Sequence, residues 1–488
     1  MKANRSQRSR MARTIIFGLI GVTCVGLALL AQNPQPQIDK LPAPAAATPN
    51  FGSVVPMPAG AALKAPAGFT VSVYADQIPG ARYMTYAPNG DLFVSSYAQS
   101  TITVLRDANN DGVPEMRSIF AQRGAPAGAA AGGPPAGGAG GGRGAGAAGG
   151  GRGGAPGGGR GPGGAPGGGR GGAPVDTAAA ALPCINTTVS PGVTGIQSPQ
   201  GMAFQNGYVY IANTNSIVRY KYTPGDMTAQ GAPEKLVDLI AGGHGWRNVI
   251  FNSAGTKMYV SVGSSSNNDA GEDCRRAAIL EFNPDGTGGR IFASGIRNPE
   301  GLAWQPGVAN VLWTSVNERD NLGDNLVPDY ITSVKDGAFY GWPYSYMGQN
   351  YDPRYIGGQV DLVKKALVPD VLIPAHSAAI GLTFYTGTAF PARFRNGAFV
   401  GLHGSWNRST AEGAKVIFVP FVNGKPGPIE DFLTGFVVDP AANSKWGRPT
   451  GVTMGRDGSL LVGDDAGNKI WQIKATAPAA APAGARGR

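Results

Sequence analysis

Six times along this 488-residue chain the same short text returns. An apolar strand is followed by a glycine turn and then by a second strand rich in aromatic and β-branched residues. The copies fall at 83–94, 201–210, 249–260, 301–313, 381–400 and 451–462. Their turns are built on pairs such as Asn89-Gly90, Asn206-Gly207 and Asp457-Gly458. Glycine supplies the positive φ a tight hairpin needs, and Asn-Gly or Asp-Gly is the strongest short hairpin signal. A unit of this kind cannot bury its apolar face alone, so repetition predicts units stacked around an axis. No long amphipathic helix interrupts the series. The expectation is an all-β, six-bladed β-propeller over residues 67–474, and the strand at 69–74 is expected to close the last blade. An open sandwich with long loops is the alternative.

Two stretches fall outside this pattern. Residues 32–66 are rich in Pro and Ala and read as an extended linker. Residues 124–180 are Gly, Ala, Pro and Arg, a composition that cannot bury enough apolar area to offset its ordering entropy. They read as a disordered Gly/Arg-rich insertion between blades 1 and 2, and 475–488 as a disordered tail. The formal charge of +10 misleads, because twelve Lys and Arg lie in the N-terminal segment, beside or within the insertion, and in the tail. What remains is close to neutral, so no nucleic-acid partner is expected.

Residues 1–31 have a basic start and an apolar run, the pattern of an export signal. Membrane anchorage through 14–30 is the competing reading. Either way the chain is expected to be exported, periplasmic or secreted. Cys24 falls inside the apolar run. In an oxidising compartment Cys184 and Cys274 could pair, and two free thiols is the equal alternative.

Chemistry narrows to a few residues. The chain has three histidines, His244, His376 and His403, all in turn-rich text. Arg297, Arg408 and Arg448 stand at corresponding corners of repeats, where a planar fork of donors suits carboxylates or a quinone oxygen. A histidine and an arginine at equivalent corners of neighbouring repeats point toward one axis. Two acidic loops stand out. The first, 107–112, has the oxygen spacing of a calcium loop, but Ser118 stands where a closing Glu is expected. The second is Asn317-Glu318-Arg319-Asp320, placed to hold a cation beside the arginine and histidine.

These residues resemble a known family, the soluble pyrroloquinoline-quinone (PQQ) dependent sugar dehydrogenases, especially the L-sorbosone and pyranose dehydrogenase-like branch. The resemblance covers about 67–122 and 185–474. It is carried by His244-Gly245-Trp246, Arg297-Asn298-Pro299-Glu300-Gly301, Asn317-Glu318-Arg319-Asp320, His403-Gly404-Ser405-Trp406-Asn407-Arg408, Trp446-Gly447-Arg448-Pro449 and Gly463-Asp464-Asp465.

The resemblance implies PQQ lying over the axial opening and a Ca²⁺ beside it. It implies that His244 is the general base, with hydride passing from the sugar to the quinone C5, and that Arg297 polarises the C5 oxygen. Gln200, Asn298, Arg408 and Arg448 then hold cofactor, and the loop Glu318, Arg319, Asp320 binds the metal. The implied activity is oxidation of an aldose, a ketoaldose such as sorbosone, or a pyranose, with electrons leaving to a quinone or cytochrome acceptor. The loop sequence and Arg408, standing about where a lysine is expected, depart from the better-known glucose enzymes. Two other classes stay open: a Ca²⁺-dependent lactonase-type hydrolase, and a non-catalytic propeller that binds carbohydrate.

Overall fold

The computed structural model describes residues 35–124 and 195–476. The expectations placed on 1–31, on 125–180, on Cys184 and on 477–488 lie outside the described residues. Cys274 is disulfide-bonded. No described helix is long and apolar enough to cross a membrane.

Each repeat becomes a four-stranded antiparallel sheet, and there are six such sheets among the described residues. Their first strands are Ala81–Tyr86, Met202–Gln205, Val249–Phe251, Pro299–Trp304, Ala379–Phe384 and Pro449–Met454. The sixth sheet takes its outermost strand from the other end of the chain, where Phe69–Ala75 pairs antiparallel with Lys469–Ala475. This is the closure that the unpartnered N-terminal strand predicts.

The core is divided in the same way. Six apolar clusters lie between neighbouring sheets, one for each pair. Phe93 and Ile102 of the first sheet meet Val209 and Ile211 of the second. Leu92 and Val94 meet Leu461 and Ile470 of the sixth, so the ring closes on itself. Alternation along each strand sends its two faces to two different neighbours, which is why central strands such as Leu92–Ser96 and Met258–Val262 are buried at every position.

The repeated glycine has a specific use. A Cβ at Gly451 would collide with the carbonyl oxygen of Arg82, and one at Gly381 with that of Thr450. The first strands of adjacent sheets approach backbone to backbone there, closer than any side chain permits. They surround an axial channel of about 530 Å³.

Residues 35–66 are extended but are not a free tether. Ser53–Val54 pairs in parallel with Ser444–Lys445, and Lys64 exchanges backbone hydrogen bonds with Thr434. The backbone N–H groups of Ala45 and Asn50 donate to Leu322 and Trp406. The segment is a strap laid over the fourth, fifth and sixth repeats. Proline-rich text gave no sign of it, because its partners lie hundreds of residues away.

Candidate active site

Where the first strands begin, a second and smaller cavity of about 180 Å³ opens. From the residues and motifs singled out in the sequence it is walled by His244, Trp246, Arg297, Asn298, Glu300, Asn317, Glu318, Asp320, His376, His403, Trp406 and Arg448, and also by Arg82 and Asp329. The ladders of the first, fourth, fifth and sixth first strands are irregular at this end. Glu300 and Ile380 reach this cavity two residues after Asn298 and Ala378, the spacing at which a strand returns to the same face.

His244 is fixed at both ring nitrogens. Nδ1 lies 3.1 Å from the Ser264 carbonyl oxygen and 2.9 Å from its Oγ. A carbonyl can only accept, so Nδ1 carries the proton and Nε2 carries the lone pair. Arg297 Nη2 donates to that lone pair at 3.1 Å. Burial, reinforced by the Arg297 charge, pushes the imidazole down to about 3. Arg247 ties the loop together by donating to the His244 and Trp246 carbonyls at 2.7 and 2.6 Å.

Arg297 uses the rest of its fork on the Asn267 backbone and side-chain oxygens, both at 2.8 Å, and on the Asn317 and Glu318 carbonyls. Asp320 stands 4.0 Å away. Arg448 donates to the His403 carbonyl. Arg82 pairs with Asp465 at 2.6 Å and lies 3.3 Å from the centre of the Trp246 ring. Burial lowers both Arg297 and Arg448.

Three guanidiniums therefore face one small space, and most carboxyls that would cancel them are held neutral by the same burial. Glu300 and Glu318 are pushed up to about 8 and Asp329 to about 7. Asp465 behaves differently: burial raises it, but His403, Arg82 and Arg448 together hold it low. His403 is pushed down to about 3 by burial and Arg448, so it is a neutral ring donating to that carboxylate at 2.9 Å. His376 goes the other way: burial opposes its charge, yet the Asp320 carboxylate and the Gly323 carbonyl accept from its two nitrogens and raise it.

Several oxygens have no partner. Asn298 and Asn317 both give their amide N–H to Glu300 Oε1, at 2.9 and 2.7 Å. That leaves Asn298 Oδ1, Asn317 Oδ1 and Glu300 Oε2 buried without a donor. Gln200 Oε1 is likewise unpartnered, while its Nε2 donates to the Gly245 carbonyl beside His244.

Three expected residues are not in the cavity wall: Gln200, which stands behind the His244 loop, Arg408 and Arg319. Arg408 donates to the Asp324 carbonyl and lines a different cavity with Lys40 and Glu412. Arg319 points into its own loop, where it pairs with Asp352 and the Asp320 carbonyl. The hairpin at 107–112 gathers Asp107 and Asp111 with Glu115, not residue 118, and lies outside this cavity. Of the residues missed, Arg82 follows the position that Pro299 and Pro449 hold in their repeats, whereas Arg297 and Arg448 precede it, so the repeat gave no signal for it. Asp329, on the third strand of its sheet, had none either.

The chain matches the glucose / sorbosone dehydrogenase family model over residues 237–406 and a TrAA12-like model over 363–476. An aldose sugar dehydrogenase of Escherichia coli is 26% identical over 187 residues, 34% of this chain and 47% of that protein. A pyrroloquinoline quinone-dependent pyranose dehydrogenase of Coprinopsis cinerea is 24% identical over 333 residues, 55% of this chain and 45% of that protein. The matches thus span about half the length of these relatives. The solved holo form of the pyranose dehydrogenase PQQ domain from Coprinopsis cinerea shares the fold, with a TM-score of 0.60 at 18% identity over 86% of this chain and 98% of that one. This chain is thus similar to the glucose / sorbosone dehydrogenases in sequence over residues 237–406, and to a PQQ-domain structure in fold over most of its length.

Proposed function

We propose that the six sheets are the blades of a six-bladed propeller and that the cavity at their leading ends is the active site of an exported, PQQ- and Ca²⁺-dependent sugar dehydrogenase. The observation that carries this reading is the His244–Arg297 pair, a neutral imidazole lone pair held 3.1 Å from a buried guanidinium.

The residues fit both groups. Arg82, Arg297 and Arg448 are buried cations among carboxyls that mostly stay protonated, a field that favours a carboxylate-bearing quinone. Unpartnered amide and carboxyl oxygens at Asn298, Asn317 and Glu300 are hard donors suited to Ca²⁺. When bound, PQQ would supply the two-electron acceptor and Ca²⁺ the charge that polarises it.

The chain's own part is orientation and proton handling. His244 Nε2 is the atom that receives a sugar hydroxyl proton, and Nδ1, held by Ser264, keeps the ring in the tautomer that can do so. Arg297 would face the oxygen that gains negative charge, and its donation to Nε2 would have to be given up for His244 to take the proton. The low proton affinity of His244 reflects burial first and the Arg297 charge second. Arg408, on its separate cavity, has no part in this step. Electrons leave to a quinone or cytochrome acceptor.

The unpartnered oxygens also favour a second reading, a Ca²⁺-dependent lactonase-type hydrolase, since such chemistry gathers amides and carboxyls around one metal. One experiment separates the two. Purified protein is titrated with PQQ and Ca²⁺ and assayed for dye reduction against a sugar panel and for lactone hydrolysis. Saturable, PQQ-dependent dye reduction that His244→Ala abolishes supports the dehydrogenase. Lactone hydrolysis with Ca²⁺ alone replaces it with the hydrolase.

A further inference from the structure

Trp406 is part of the cavity wall, yet 39% of it is exposed. Its outward side is met by Phe51 of the strap, stacked at 5.3 Å between ring centres with the planes 14° apart. Phe51 itself is 75% exposed, so it gains little from burial and its far face is open to solvent.

Its position is nonetheless built. On one side Asn50 donates from its side chain to the Ser409 and Ala441 carbonyls at 2.9 and 2.8 Å and from its backbone to Trp406 at 2.7 Å. Asn443 Nδ2 donates back to the Asn50 carbonyl at 2.5 Å. On the other side Ser53–Val54 is held in a sheet. Between them Gly52 adopts a φ of +62°, and a Cβ there would collide with Asn443. The turn leaves Phe51 one direction, outward over Trp406.

An exposed ring is ordinary by itself, but this one is fixed on both flanks and stacked on a residue of the cavity wall. The pair is only two rings wide, and Thr48, Asp324 and Ser409 bond to one another beside it, so the patch is narrow and polar-edged. A flat aromatic face with polar groups around it matches the C–H face and hydroxyl rim of a pyranose.

We propose that Phe51 and Trp406 form a stacking platform for the second ring of an oligosaccharide whose reacting ring occupies the His244 cavity. This rests on the sugar-oxidising reading and extends it to a substrate class, an oligosaccharide oxidised at one end.

The test uses the PQQ- and Ca²⁺-loaded enzyme with a hexose and its di- and trisaccharide. Phe51→Ala is expected to raise KM for the di- and trisaccharide by about three- to tenfold, the scale of one aromatic stacking contact. It should leave kcat, the hexose KM and the melting temperature unchanged, and Phe51→Trp should restore the low KM. Equal effects on all three sugars, or none, overturn the platform. A change confined to the KM of the electron acceptor also overturns it and assigns the patch to acceptor docking. If the wild type oxidises no sugar, the dehydrogenase reading fails by itself. The platform then stands only if the trisaccharide quenches tryptophan fluorescence and Phe51→Ala weakens that quenching.

Discussion

The six first strands have one end at the candidate active site and the other in the axial channel, and the two ends share almost nothing chemically. At the leading end Arg297, Asn298 and Glu300 face a cavity crowded with guanidiniums, imidazoles and carboxyls. Two residues further on, Leu302, Ala303 and Trp304 of the same strand line a channel with Leu382, Phe384 and Val452 and without a single Asp, Glu, His, Lys or Arg. The channel is also the larger space, about 530 against 180 Å³. Size therefore does not locate the chemistry. Buried charges that lack full compensation do, because a fold retains such groups only against a cost in stability.

Substitutions at the two ends should separate rate from stability. The largest effect expected is on rate. His244→Ala should lower kcat by about 10²- to 10⁴-fold, the range of a positioned general base, with PQQ affinity largely kept. Stopped-flow reduction at saturating cofactor reads it, and a variant within a few-fold of wild type would remove His244 from the mechanism. In the channel, Leu382→Ala should do the reverse. It should destabilise by about 2–5 kcal/mol through the cavity it leaves while the folded enzyme keeps its kcat, as denaturant melts paired with kinetics would show.

A third test uses pH. Burial raises Glu300 from 4.5 to about 8, so the native state keeps a proton that the unfolded chain has lost. A raised acid destabilises progressively as pH climbs from 4.5 toward 8. The cofactor-free protein should thus lose stability across that window, and Glu300→Gln should flatten the loss by several degrees in melting temperature. Ca²⁺ should flatten it too if Glu300 Oε2 meets the metal, and an unchanged slope in both would place the proton elsewhere. The smallest effect is expected at the rim. Trp246→Leu removes the ring beneath Arg82 and should weaken PQQ binding about three- to tenfold by titration, the scale of a partly desolvated cation–π contact.

Period-two alternation, turn glycines and a Gly repeated at four of the six first strands depend on neighbours a few residues away, and they were legible as text. They yielded six repeats, the closing role of 69–74 and the clustering of His244, Arg297 and Arg448 at one end. Other features depend on residues far apart in the chain. Arg82 enters the cavity from a repeat position that holds no arginine in the fourth or sixth repeat. Asp329 acquires its raised proton affinity from burial, against the Glu318 and Ala378 backbone N–H groups that donate to it and lower it. Arg408, in a motif as suggestive as that of Arg297, is drawn to Asp324 and out of the site.

The sequence by itself determined the all-β repeat and the corner at which chemistry would gather, because strand, turn and repeat are written within a dozen residues. Only the tertiary structure decided which corner residues share a cavity, which carboxyls stay protonated and that a proline-rich strap carries Phe51 to the mouth. Those outcomes follow from burial and from contacts between distant segments, and neither exists until the ring of sheets has closed.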